Sequence, residues 1–157
     1  MLVYGLPNFE RENAQNIVAK KYGFSFYPVA GCLVSQELID STAKENNIVR
    51  GVLIKKYGKD FWSRFEKEVN KEQKQQEKVI KILSKQPFLQ ALEQQLNKDG
   101  NGINYYLEPT GNLNEYDANI YGWGVYNNTS ARVSFYRLKV NLKSQVVSIA
   151  DKIIRPL

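Results

Sequence analysis

The chain contains no histidine and a single cysteine, Cys32. Those two facts exclude Ser-His and Cys-His triads, histidine general bases, cysteine or histidine metal sites, and intrachain disulfides. Any reaction would have to run on Asp, Glu, Lys, Tyr or Ser. The acids Glu108, Glu115 and Asp117 border one loop, but their spacing fixes no carboxylate pair of defined separation. Glycine-rich phosphate loops and nucleophile elbows are missing. The reading leans away from an enzyme, and no metal or cofactor is expected.

Residues that could bind rather than react gather in the last third of the chain. Tyr121 and Trp123 fall on one face of an expected strand, and Arg137 and Lys139 share a face of the next, with Tyr136 a further candidate contact. Aromatic rings beside cations make the platform on which single-stranded nucleic acid stacks. The same residues could instead line a small-ligand or substrate pocket between sheet and helices, with Trp123 and Tyr121 as walls and Arg137 as anion anchor. Gly122 and Gly124 lie opposite Trp123 on its strand. They leave either a shallow slot or room for close packing, and packing is the stronger reading.

Two further motifs have plainer explanations. Val29-Ala30-Gly31-Cys32 matches a bacterial lipoprotein cleavage pattern, in which Cys32 would be lipidated, yet Ser25 and Pro28 interrupt the apolar run that a leader needs. A small buried thiol beside a glycine turn is expected instead. Asn127 and Asn128 head overlapping glycosylation patterns, but a hairpin turn accounts for them.

The elements that must position these residues emerge from periodicity. "NIYGWGV", "ARVSFYRLKVNL" and "VVSIAD" read as three strands joined at "YNNTS" and "KSQ", an antiparallel meander preceded by an edge strand "INYYLEP". On the middle strand Ser134, Tyr136, Leu138 and Val140 are expected on one face, opposite Val133, Phe135, Arg137 and Lys139. Upstream, Asn8 reads as the cap of a first helix with Phe9, Asn13, Ile17 and Lys20 along one face and Ala14, Val18 and Tyr22 beside it, which stops at Gly23. The segment "FSFYPVAGCLVS" reads as extended chain crossing the core rather than a regular strand, because Pro28 removes a ladder donor.

Ser35 caps a second helix whose inner side is read as Leu38, Ile39, Ala43, Val49, Val52 and Leu53, with a possible break near Asn46-Asn47. It stops at "IKKYG", an echo of the earlier "AKKYG" that reflects a shared helix stop better than a repeat. A third helix begins after Asp60 with Phe61, Trp62, Phe65 and Val69. Its middle, "NKEQKQQEK", looks polar on all sides, as in a solvated rod or a partner surface. Pro87 restarts a fourth helix carrying Phe88, Leu89, Leu92 and Leu96 on one stripe.

Length and charge bound the whole. With 157 residues, 43% hydrophobic and 24% charged, one ordinary domain is expected, its helical part about 8–98 and its sheet part about 103–150. The net charge is +6, but each of three segments carries a surplus of two basic residues: eight against six over 1–60, eight against six over 61–100, six against four over 101–157. No basic arm stands out, so nucleic acid is the weaker partner. No stretch is long and apolar enough for a membrane span, which reads as a soluble, cytoplasmic protein, or a periplasmic or secreted one if a leader has been removed.

The expected class is α+β, with about four N-terminal helices packed on a C-terminal antiparallel meander of three to four strands. Over residues 60–157 this order of elements resembles cystatin-like and NTF2-like domains. That resemblance implies the fold alone, since such domains serve as enzymes, inhibitors and scaffolds alike. A non-catalytic binding or accessory module, working by protein–protein interaction, is the leading expectation. A ligand or substrate pocket and single-strand binding are the alternatives.

Overall fold

Among the described residues, ten elements make an α+β arrangement: β1 (Leu2–Tyr4), α1 (Phe9–Lys21), β2 (Tyr27–Ala30), α2 (Gln36–Tyr57), α3 (Phe61–Leu83), α4 (Pro87–Asn97), β3 (Ile103–Pro109), β4 (Glu115–Tyr126), β5 (Thr129–Asn141) and β6 (Val146–Pro156). This computed structural model describes residues 1–5 and 9–156, without the side chains of residues 9, 10 and 153–155. The expected cap at Asn8 lies outside the described residues. The chain divides into two compact units, Met1–Lys74 and Gln75–Leu157.

In the first unit, Ala14, Val18 and Ala19 of α1 meet Leu53 of α2 and Phe61, Phe65 and Val69 of α3. Tyr22, Phe24, Phe26, Tyr57 and Trp62 pack around them. These helices therefore share a core of their own, whereas the sequence alone suggested that the sheet would cover them. α1 closes as expected: Gly23 has φ +77°, its amide donates to the Lys20 carbonyl at 3.2 Å and that of Phe24 donates to Ala19 at 3.2 Å, a pairing that satisfies two end carbonyls. α2 ends at Gly58, whose amide donates to Ile54 at 2.8 Å. The two "KKYG" strings are thus both helix stops, and their tyrosines meet. Tyr22 and Tyr57 pack edge to face with centroids 5.2 Å apart, and the Tyr57 hydroxyl donates to the Tyr22 carbonyl at 2.9 Å.

Several expectations need correction here. The segment after α1 contains a true strand, β2, parallel to β1, with Pro28 opposite Val3. A two-stranded sheet tolerates the missing donor because both of its strands are edges. Phe24 and Phe26 of this segment pack against the core, whereas Cys32 is exposed rather than buried, beside a Leu33 that is 94% exposed. α2 is continuous through Asn46, whose side-chain amide both accepts from the Leu2 amide and donates to the Leu2 carbonyl, each at 2.8 Å. That amide serves as a hydrogen-bonding neighbour for β1, and the buried line of α2 accordingly runs through Thr42 and Leu53 while Ala43 and Val52 face outward.

A further correction concerns α3. Phe61, Phe65, Val69, Glu72, Gln76, Val79 and Leu83 are all buried, in steps of three and four that keep one face of a helix turned inward. Glu72 is 8% and Gln76 2% exposed, so the middle of α3 is not a rod solvated on every side. Both residues have interaction partners, as burial of polar groups requires.

In the second unit the sheet order is β3-β4-β5-β6, antiparallel throughout. Val79 and Leu83 of α3 and Leu89 of α4 pack on Leu107, Tyr116, Ala118, Ile120, Leu138 and Val140 from its inner face. Leu96 joins Val133 and Phe135 in an adjoining cluster. Pro87 occupies the first turn of α4. Asn127 and Asn128 have φ of 49° and 60°, the left-handed pair that a two-residue hairpin with native twist demands.

Candidate functional site

The outer face of the four-stranded sheet carries four of the five sequence-derived candidates. Register places them in cross-strand rows. Tyr106, Asn119, Arg137 and Asp151 form one row, and Glu108, Asp117, Lys139 and Ser148 the next. Further along β4, Tyr121 stands opposite Ser134 and Trp123 opposite Arg132. Between the first two rows lies an open groove of about 520 Å³ lined by Tyr106, Glu108, Asp117, Asn119, Arg137 and Lys139.

Tyr136 is not part of this face. The β4–β5 register slips at Ile120/Tyr121, so that Ile120 faces Tyr136 while Tyr121 faces Ser134, leaving Phe135 as an extra residue. Such a bulge breaks the alternation of a strand and re-aims the side chains beyond it. Tyr136 itself keeps the inner face with Leu138 and Val140, as the strand pattern expects, and packs edge to face on Phe88 of α4 with centroids 5.1 Å apart. The same slip corrects the expected faces of β5. Val133 and Phe135 are buried, while Arg137 and Lys139 are exposed, and Ser134 turns outward to donate a hydrogen bond to the Asn119 side-chain oxygen.

The glycines of β4 mark tight packing. A Cβ on Gly122 would lie 2.4 Å from the Gly102 carbonyl oxygen, and one on Gly124 would lie 2.9 Å from Val133 Cγ2 and 3.3 Å from the Phe135 ring. The space beside them is filled by backbone and by Phe135, in agreement with the packing reading.

Electrostatically the outer face is mixed. Lys139 Nζ donates to Asp117 Oδ1 at 2.9 Å and stands 3.9 Å from Glu115 Oε1. The Asp117 carboxylate raises the Lys139 pKa above its usual value. Glu115 accepts from the Asn112 side-chain amide at 3.1 Å and the Thr110 hydroxyl at 3.0 Å. Those hydrogen bonds hold its carboxyl below the usual range. Glu115 and Asp117 are thus engaged in closing a loop and pairing a lysine. Among the described residues no cluster of three or more His, Cys, Asp or Glu side chains could hold a metal ion.

Hydrophobic contact area is concentrated at the hairpin end of the same face. Trp123 is 51% exposed and Val125 70%, and the Arg132 guanidinium lies 5.0 Å from the Tyr121 ring centroid. Arg132 escaped the sequence reading because only register sets it beside Tyr121. A second group also escaped it: Lys78, Lys81, Lys85 and Lys143 line one cleft, though they are scattered over 66 positions of the sequence. No helix among the described residues is long and apolar enough to cross a membrane. Compared with family models, curated proteins and solved structures, the chain matches none.

Proposed function

We propose that the protein is a non-catalytic binding module that docks a protein partner on the outer face of β3–β6. The observation that carries this reading is the half-exposed Trp123 beside Val125 and the Arg132–Tyr121 stack. Tryptophan, tyrosine and arginine are the residue types that anchor protein interfaces, and a rim of charged groups around them sets register. The rows at Glu108, Asp117, Lys139 and Asp151 supply such a rim with charges of both signs. The mixed sign favours a protein over single-stranded nucleic acid, whose phosphates would meet three acids along with Arg137 and Lys139. The order of elements in residues 60–157 resembles that of cystatin-like and NTF2-like domains and is compatible with inhibitor or scaffold roles.

Affinity capture from native extract tests the reading. The wild-type chain is expected to retain a stoichiometric partner that Trp123→Ala, folded by circular dichroism, loses by about tenfold or more, as for a central aromatic anchor. Retention of the same partner by Trp123→Ala at undiminished affinity would remove the proposal. If instead the captured species is RNA or DNA and its binding falls steeply with salt, the nucleic-acid alternative takes its place. Binding of a small molecule that quenches Trp123 would favour the ligand-pocket alternative.

A further inference from the structure

We infer that the second unit carries a separate binding site for a small ligand with two or more phosphoryl groups, in the lysine-lined cleft at the end of α3. This inference does not rest on the protein-partner reading, because its residues lie off the outer sheet face. Lys78 and Lys81 stand on the last turns of α3, and Lys85 comes next in the turn that continues it, where the Ser84 amide still donates to the Ile80 carbonyl at 2.8 Å. Steps of three and four residues put the three ammonium groups on one side. Lys143, in the β5–β6 turn, lines the same cleft. Its volume is about 530 Å³, within the rough 300–1,000 Å³ range of small-molecule sites.

The charge in this cleft is uncompensated. No Asp or Glu lines it, and none of the four lysines takes part in an ion pair with a described residue. Lys139, by contrast, is matched by Asp117. Four like charges around one concavity repel each other and raise the local concentration of anions, and a bound polyanion relieves that repulsion.

The cleft is also held in shape. The Leu142 amide donates to the Asn114 carbonyl at 2.8 Å, joining the β3–β4 loop to the β5–β6 turn. Asn141 Oδ1 accepts from the amides of Lys143 and Ser144, each at 3.0 Å, fixing the turn that carries Lys143. Ile82 and Leu142 add apolar lining.

The lining of the cleft sets the ligand class. Ammonium groups are compact point charges that meet phosphoryl oxygens from any direction, whereas planar carboxylates are best recognised by arginine forks, which the lining lacks. No aromatic ring is present to stack a base, so a single strand would lose the contact that such sites depend on. The phosphoryl groups could belong to a free oligophosphate or to a lipid headgroup.

Titration of the full chain with sodium tripolyphosphate at constant ionic strength, followed by NMR, tests the site. Saturable binding is expected, with shifts at Lys78, Lys81, Lys85 and Lys143. Lys81→Glu/Lys143→Glu should weaken it by about tenfold or more, since two attractive contacts become repulsive. Lys44→Glu, on α2, should leave it unchanged. Should the double variant fold poorly, Lys78→Gln/Lys85→Gln provides the same comparison. Flotation with phosphatidylcholine vesicles containing phosphatidylinositol bisphosphate separates the sources: flotation displaced by tripolyphosphate assigns a headgroup, and tripolyphosphate binding without flotation assigns a free ligand. Absence of saturable binding, equal binding by the folded lysine variants, or tighter binding of a single-stranded oligonucleotide or of polyglutamate would overturn the inference.

Discussion

Tyr22 links three parts of the first unit through one side chain. Its ring packs on Tyr57 and Phe61, its carbonyl accepts from Tyr57 and its hydroxyl donates to Glu68 on α3. The hydrogen bond to Glu68, followed by burial, raises the phenol pKa above its ordinary 10.0. A pKa raised by folding contributes stability that is complete below the unfolded value and is lost as pH rises through the folded one. Tyr22→Phe is therefore expected to be less stable than the wild type at neutral pH, and the difference should shrink at alkaline pH, as the pH passes the ordinary 10.0 and rises through the raised folded value. Paired denaturant titrations at the two pH values check this, and a gap that widens with pH would contradict it. The tyrosine itself was visible as part of a helix stop. Its partner was not, because Glu68 lies 46 residues further along.

At the scale of elements, α3 shows how residue type can mislead where position does not. The string from Asn70 to Lys78 contains no apolar residue, so composition reads it as solvated. Helical geometry nevertheless returns positions 72 and 76 to the face already occupied by Phe65 and Val69. Gln76→Ala separates the two readings. In a solvated rod the change would be neutral or slightly stabilising, since alanine is the better helix former. At a buried, partnered position it should cost about 1–3 kcal/mol through the group left behind. Thermal or urea unfolding decides between them. β5 carries the complementary lesson: its hydrophobic pattern located the strand, but the bulge at Phe135 decided which side chains share a face.

For the whole molecule, the two units are joined through α3, which contributes Phe61, Phe65 and Val69 to one core and Val79 and Leu83 to the other. A helix gains one hydrogen bond per residue once nucleated, so fraying it at Lys74–Gln75 costs both halves. Native-state hydrogen exchange under increasing urea is expected to bring amides of Val18 and Leu138 to a common opening free energy. Two well-separated values would show that α3 does not couple the cores.

Local chemistry is what the sequence alone determined. Gly23 and Gly58 as helix stops, Pro87 at the start of α4, Asn127-Asn128 as the hairpin turn and the α+β order of elements all follow from backbone preferences and periodicity, which act within a few residues. The absence of histidine and the lone cysteine narrowed the chemistry in the same way. Tertiary structure alone decided which charges and rings meet. Lys139 is neutralised by Asp117 from the neighbouring strand, Arg132 is set over Tyr121, and Ser134 is turned outward by a bulge. The four lysines of the cleft belong to an evenly distributed charge in one dimension and become a concentrated one in three. Coulombic and hydrogen-bonding interactions depend on distance in space, and only folding converts separation along the chain into that distance.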